Sequence, residues 1–144
     1  MAAPLHTDIL TKIIARLQGN AGVAALFTDV TAQIKNHLPQ LTKDTAVLKR
    51  SPFMRVRWNA GTDWSGKDFQ GYQGAVVVDV WTTAHGDLEV LKIFDAVNLA
   101  LHNQPLTLAQ AENIKLQHDF SDVFIEPDGV THHGVQRFDL IATD

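Results

Sequence analysis

Seven histidines in a 144-residue chain without cysteine are the side chains that most invite a chemical reading. With no thiolate, a metal would have to rest on imidazole and carboxylate ligands, and His118, His132 and His133 are the candidates. Spacing argues against them. Glu126-Pro127-Asp128-Gly129 lies between two runs rich in Val, Ile, Phe and Thr. Proline presets φ, Asp bonds its own backbone and Gly accepts positive φ, so a β-hairpin is expected there. His132 then lies opposite about Ile125, some seven residues from His118, and at roughly 3.3 Å per residue the gap exceeds ~20 Å. His132 and His133, adjacent on a strand, point to opposite faces. No metal centre is expected.

Catalytic patterns are equally thin. The chain has no Gly-x-Ser-x-Gly elbow, no His-Glu-x-x-His and no Gly-rich phosphate loop. Asp79, Asp87, Glu89 and Asp95 are scattered, and Asp87 reads as a helix-start residue. The expectation is no catalytic residue, no cofactor and no enzyme. An alternative from that class is a small hydrolase or isomerase using His102 or His118.

Charge is more informative. Lys49, Arg50, Arg55, Arg57 and Lys67 crowd one part of a chain whose net charge is -4. They read either as the solvated face of an edge strand, where cations discourage stray pairing, or as half of a charge-complementary interface. A duplex-binding stripe ranks third, since no helix carries these residues and the chain is acidic. Trp58 and Trp81 sit in strand patterns and read as core. Trp64 sits in the turn-rich Gly61-Thr62-Asp63-Trp64-Ser65-Gly66-Lys67, where an aromatic is a candidate binding anchor. The expected contact, between subunits or with a partner, joins Arg55, Arg57, Trp64 and Lys67 to the acidic Asp119, Asp122, Glu126 and Asp128.

Elements that would position these residues follow from periodicity. Leu10, Ile13, Ile14 and Leu17 mark an amphipathic helix from about Pro4 to Gln18, ended by Gly19-Asn20. Asn20 caps a short helical piece bearing Val23, Leu26 and Phe27, and Val30 to Lys35 reads as a short strand. Asn36 to Ser51, with Pro39, Lys43 and Asp44, reads as a long exposed loop. Met54, Val56 and Trp58 alternate with Arg55, Arg57 and Asn59, and Tyr72 to Thr83 alternates valines around Asp79 and Trp81. Both are strands. Leu88, Leu91, Phe94, Val97 and Leu101 trace a helix from Asp87 to Asn103, started by Gly86 or Asp87 after His85 and stopped by Pro105. Ile114, Leu116 and Phe120 share one phase and Val123 and Ile125 the other, which a bulge near Ser121-Asp122 would reconcile.

The order helix, three strands, helix, two strands predicts an α+β fold. It is a mainly antiparallel sheet with two principal helices packed on one face and a C-terminal β-hairpin. Residues 1–144 read as one domain. Met1-Ala2-Ala3-Pro4-Leu5-His6 has no basic segment leading into an apolar one, and no apolar run approaches ~18 residues, so neither export nor membrane insertion is expected.

These words also resemble a known family. The stretch Pro127-Asp128-Gly129 followed by His133-Gly134-Val135-Gln136-Arg137-Phe138 is similar to the closing hairpin of phage tail terminator (tail completion) proteins. Asp63-Trp64-Ser65-Gly66-Lys67 resembles that family's Asp-Trp-Ser loop. Val78-Asp79-Val80-Trp81-Thr82, with Gly86 and Glu89 after it, resembles its entry to the main helix, and Leu101-His102 with Leu106 resembles that helix's end. The likeness runs from the first helix to the C-terminus and is strongest after Pro52. Asn36 to Ser51 exceeds the family's usual short connection, and His132-His133 stands where Arg-His is commoner. The resemblance implies a structural virion protein assembled in the host cytoplasm. It implies a ring, commonly of six subunits, that caps the head-proximal end of the tail tube, stops tube growth and meets the head connector. Its partners would be itself, the tube protein and the connector protein, with DNA passing through the lumen without specific binding, which suits a net-acidic chain. A free-standing monomeric or dimeric adaptor is the alternative.

Overall fold

The computed structural model describes residues 6–37, 52–84, 86–106 and 113–143. Pro4, His85 and most of the loop expected from Asn36 to Ser51, with Lys49 and Arg50, lie outside the described residues. Helix α1 (His6–Gly19) buries Ile9, Ile13 and Leu17. Asn20 caps α2 (Ala21–Ala24) by accepting from the Val23 amide, as its type and place suggested.

Val30 to Lys35 departs from the expected strand. It forms the helical turn α3 (Val30–Gln33) and only the two-residue strand β1 (Ile34–Lys35). Two side chains explain this. Asp29 caps Ala32 at 3.2 Å. Gln33, buried, turns its Oε1 back to the amides of Thr28 (2.9 Å) and Asp29 (2.7 Å) and donates Nε2 to the Pro52 carbonyl (3.0 Å). That variant of a capping box outweighs the β-preference of Val30 and Thr31.

Strands β2 (Phe53–Asp63), β3 (Gly71–Thr82), β4 (Asn113–Ile125) and β5 (His132–Thr143) complete a five-stranded sheet in the order β1-β2-β3-β5-β4. All pairings are antiparallel except β1 with β2. Met54, Val56, Val76, Val78, Val80, Phe138 and Leu140 line the buried face with α1 and α4 (Leu88–Leu101). His6 packs edge-on against Trp58 at 4.7 Å, and Gln136 donates to the Phe94 carbonyl at 3.2 Å, so both helices cover this one face. Among the described residues, no helix is long and apolar enough to cross a membrane.

Four local expectations shift. Gly61 to Asp63 belong to β2, which continues past a bulge between Trp58 and Ala60. Gly61 is there because Tyr72 leans over it; a Cβ would lie 1.7 Å from the tyrosine oxygen. The α4 stripe that reaches the core is Val90, Ile93, Phe94, Val97, Ala100 and Leu101, whereas Leu88 is 70% exposed. Phe94, Val97 and Leu101 of the expected stripe are buried, and only its first two members, Leu88 and Leu91, turn outward in favour of Val90 and Ile93. At its start, Gly86 takes φ 78° and Asp87 occupies the capping position without a side-chain cap bond. The β4 bulge falls between His118 and Phe120, so Phe120 shares the open face with Arg137, and Val123 and Ile125 take the helix side.

Candidate interaction surfaces

The open face of the sheet carries a charge centre at Asp79, only 1% exposed. Its Oδ2 accepts from Arg55 Nε (3.2 Å), another Arg55 guanidinium nitrogen (3.0 Å) and Arg57 Nε (2.8 Å). Its Oδ1 lies 3.0 Å from His133 Nε2, while His133 Nδ1 lies 2.9 Å from Glu126 Oε1. Burial by itself pushes the Asp79 pKa up, but the His133 bond and then the Arg57 and Arg55 bonds outweigh it and hold the carboxyl below the usual aspartate value. Arg55 also lies over Trp81 at 5.3 Å, Trp81 stacks on His133 at 4.3 Å, and Phe124 lies 4.6 Å beyond. The result is a bonded and stacked band across the sheet, joined to the β4–β5 hairpin through His133 and Glu126.

Asp79 read from the sequence as one scattered carboxylate, and that understated it. A lone charge in a valine-rich strand, in phase with Trp81, needs a partner when buried. Ladder alignment supplies it, because Arg55 pairs directly across from Asp79.

The second feature is the β2–β3 tip. Asp63 Oδ1 accepts from the Ser65 amide (2.8 Å) and hydroxyl (2.6 Å). Trp64 donates to the Gly71 carbonyl, and Gly66 to that of Phe69, each at 3.0 Å. The bonds from the Ser65 hydroxyl, foremost, and the Ser65 amide lower the Asp63 pKa. They also hold Trp64, 45% exposed, beside exposed Phe69 at 5.6 Å, with Lys67 exposed between them.

At the β4–β5 tip, Asp128 accepts from Thr131 Oγ1 (2.6 Å) and from the amides of Thr131 (2.8 Å) and Val130 (2.9 Å); these bonds lower its pKa. Gly129 takes φ 73°, and Ile125 pairs with His132 as the turn residues implied. Asp119 pairs with Arg137 at 3.2 Å, and Asp122 bonds the Val123 amide at 2.9 Å.

The expected contact residues thus fall into separate places. Arg55, Arg57 and Glu126 gather round Asp79 and His133. Trp64 and Lys67 lie at the far end, because β3 pairs with β5 from Gly71–Thr143 to Thr82–His132, a run of about 36 Å. His132 faces Asp87 at 3.5 Å, on the opposite side from His133. His118 instead bonds Ser121 Oγ at 2.6 Å, and its amide donates to His102 Nδ1 at 3.0 Å. Among the described residues no three His, Asp or Glu side chains group as metal ligands would.

No curated protein matches the chain. Among solved structures, the fold is similar to a chain in the virion of a native gene transfer agent particle. That match has a TM-score of 0.80 and 17% identity, and it covers 99% of this chain and 100% of that one. The family model for tail completion protein gp17 matches residues 11–143, nearly the whole sequence. The chain therefore belongs to the phage tail completion protein gp17 family.

Proposed function

We propose that the chain, a single domain over residues 1–144, is a non-enzymatic structural part of a phage virion. Copies form a ring, six being the number the family resemblance implies, on the head-proximal end of the tail tube. The ring ends tube growth and offers the surface that joins tail to head connector, and DNA crosses its lumen without specific binding. Beyond family membership, one observation carries this reading. The two hairpin tips are prebuilt by their own hydrogen bonds and project from opposite ends of one sheet. A part that must touch something at each end needs that arrangement, and preorganised tips lose little entropy on contact.

Within the ring, Arg55, Arg57, Trp64 and Lys67 contribute contacts to a neighbour or to the tube, with Asp119, Asp122, Glu126 and Asp128 on the complementary side. Arg57 keeps 39% of its side chain exposed while holding Asp79, so its outer donors remain available. The combined change Trp64→Ala and Arg57→Glu tests this. Because Arg57 also bonds Asp79, the variant should melt lower than the parent, yet by circular dichroism it should remain folded while failing to complete tails, giving tubes of abnormal length or tails without heads. Normal particles from that variant would show that neither residue makes a contact the tail needs.

A further inference from the structure

We propose that copies of this chain join edge to edge, β4 of one copy pairing antiparallel with Trp58 to Asp63 of β2 in the next. This rests on the self-assembly in the reading above and specifies its contact. The sheet has two long edges. β1 covers β2 only at Met54 and Arg55, and Asn36 Nδ2 bonds the Val56 carbonyl at 3.0 Å. Past Val56, β2 has no partner strand among the described residues, and neither does the outer edge of β4. Edges are normally blunted by lysine, proline or inward charge. Beyond the bulge at Asn59, Ala60-Gly61-Thr62 carries no lysine, proline or charge, and its small side chains let another backbone approach.

Direction and charge agree with this pairing. The ladders β2–β3, β3–β5 and β5–β4 are all antiparallel, so β2 and β4 run in opposite senses within one copy. A rotation that carries one copy onto the next therefore brings the edges together as an antiparallel pair, and a head-to-tail contact of this kind can close a ring. Extending the ladder rows across the junction sets Ala60 beside Gln117 and Thr62 beside Lys115. On the open face it puts the neighbour's Arg57 beside Phe120, between Asp119 and Asp122. The neighbour's β1 covers Met54 and Arg55, so the pairing stops near the β4 bulge at Asp119.

The absence of cysteine makes the test direct. Within one copy Thr62 and Lys115 lie three strand spacings apart, ~14 Å, beyond the ~7 Å a disulfide can span. The full chain carrying Thr62→Cys with Lys115→Cys, and separately Ala60→Cys with Gln117→Cys, is purified and oxidised. The expected result is loss of the monomer band to a reducible ladder of multimers, with no such ladder from Thr62→Cys paired with Lys92→Cys on the outside of α4. A ladder equally strong with that control reflects collision and overturns the proposal. If the parent chain has the mass of a ring while neither edge pair yields a ladder, edge pairing is wrong and the ring stands. If the parent stays monomeric at high concentration and no pair cross-links, both fail.

Discussion

Replacing Asp79 by asparagine removes the charge that holds the open face together and changes the shape little. Parting a fully buried ion pair costs about 3–5 kcal/mol. Here the guanidinium partners are 26% and 39% exposed, so water takes up part of the loss and about 2–3 kcal/mol is the better expectation. At ~2.1 cal/mol/K of unfolding entropy per residue, a domain of this length should melt ~7–10 °C lower. The pH dependence separates charge from packing. Because the Asp79 carboxyl is held below its ordinary value, its contribution is present above the unfolded pKa of ~3.9 and is lost as pH falls through the lower folded value. Urea unfolding of parent and Asp79→Asn should therefore show a gap at pH ~5 that narrows below about 4. A melting shift under ~2 °C at neutral pH would refute the charge-centre reasoning, since it falls well short of the loss expected for a buried pair. So would a gap that does not change with acid.

Gly134 lies under α4, where an added Cβ would come within 2.5 Å of Val90 and 2.6 Å of Phe94. Gly134→Val should push the helix away and cost about 1–3 kcal/mol in urea midpoint analysis; parental stability would show the helix to be free to move. Asp128→Ala should speed hydrogen exchange at the Val130 and Thr131 amides and leave β3 amides as protected as before. Unchanged exchange at the tip would mean that the Asp128 bonds do not organise it.

Elements whose local chemistry is self-contained were legible from the sequence. The 3.6-residue stripe of α1, the Asn20 cap, the valine alternation of β3 and the Pro-Asp-Gly turn each need only neighbours along the chain. What escaped depends on residues distant in sequence. Gln33 decides Val30–Lys35 partly through the carbonyl of Pro52. Asp79 becomes a centre because β2 brings Arg55 and Arg57, and β5 brings His133. On α4, Leu88 and Val90 are equally apolar, and packing against Gly134 and Gln136 selects the stripe containing Val90. The contact residues were legible as types, but their distribution between the two ends of the sheet required the ladder register.

Reconstruction of the assembled phage particle, with this chain located by a tag at a tolerant position, tests the central claim most directly. The account predicts a ring of this chain between the last tube subunits and the head connector, with the Trp64 tips and the Asp128 tips pointing to different neighbours. A particle without this chain, or with it only at the far end of the tail, would contradict it.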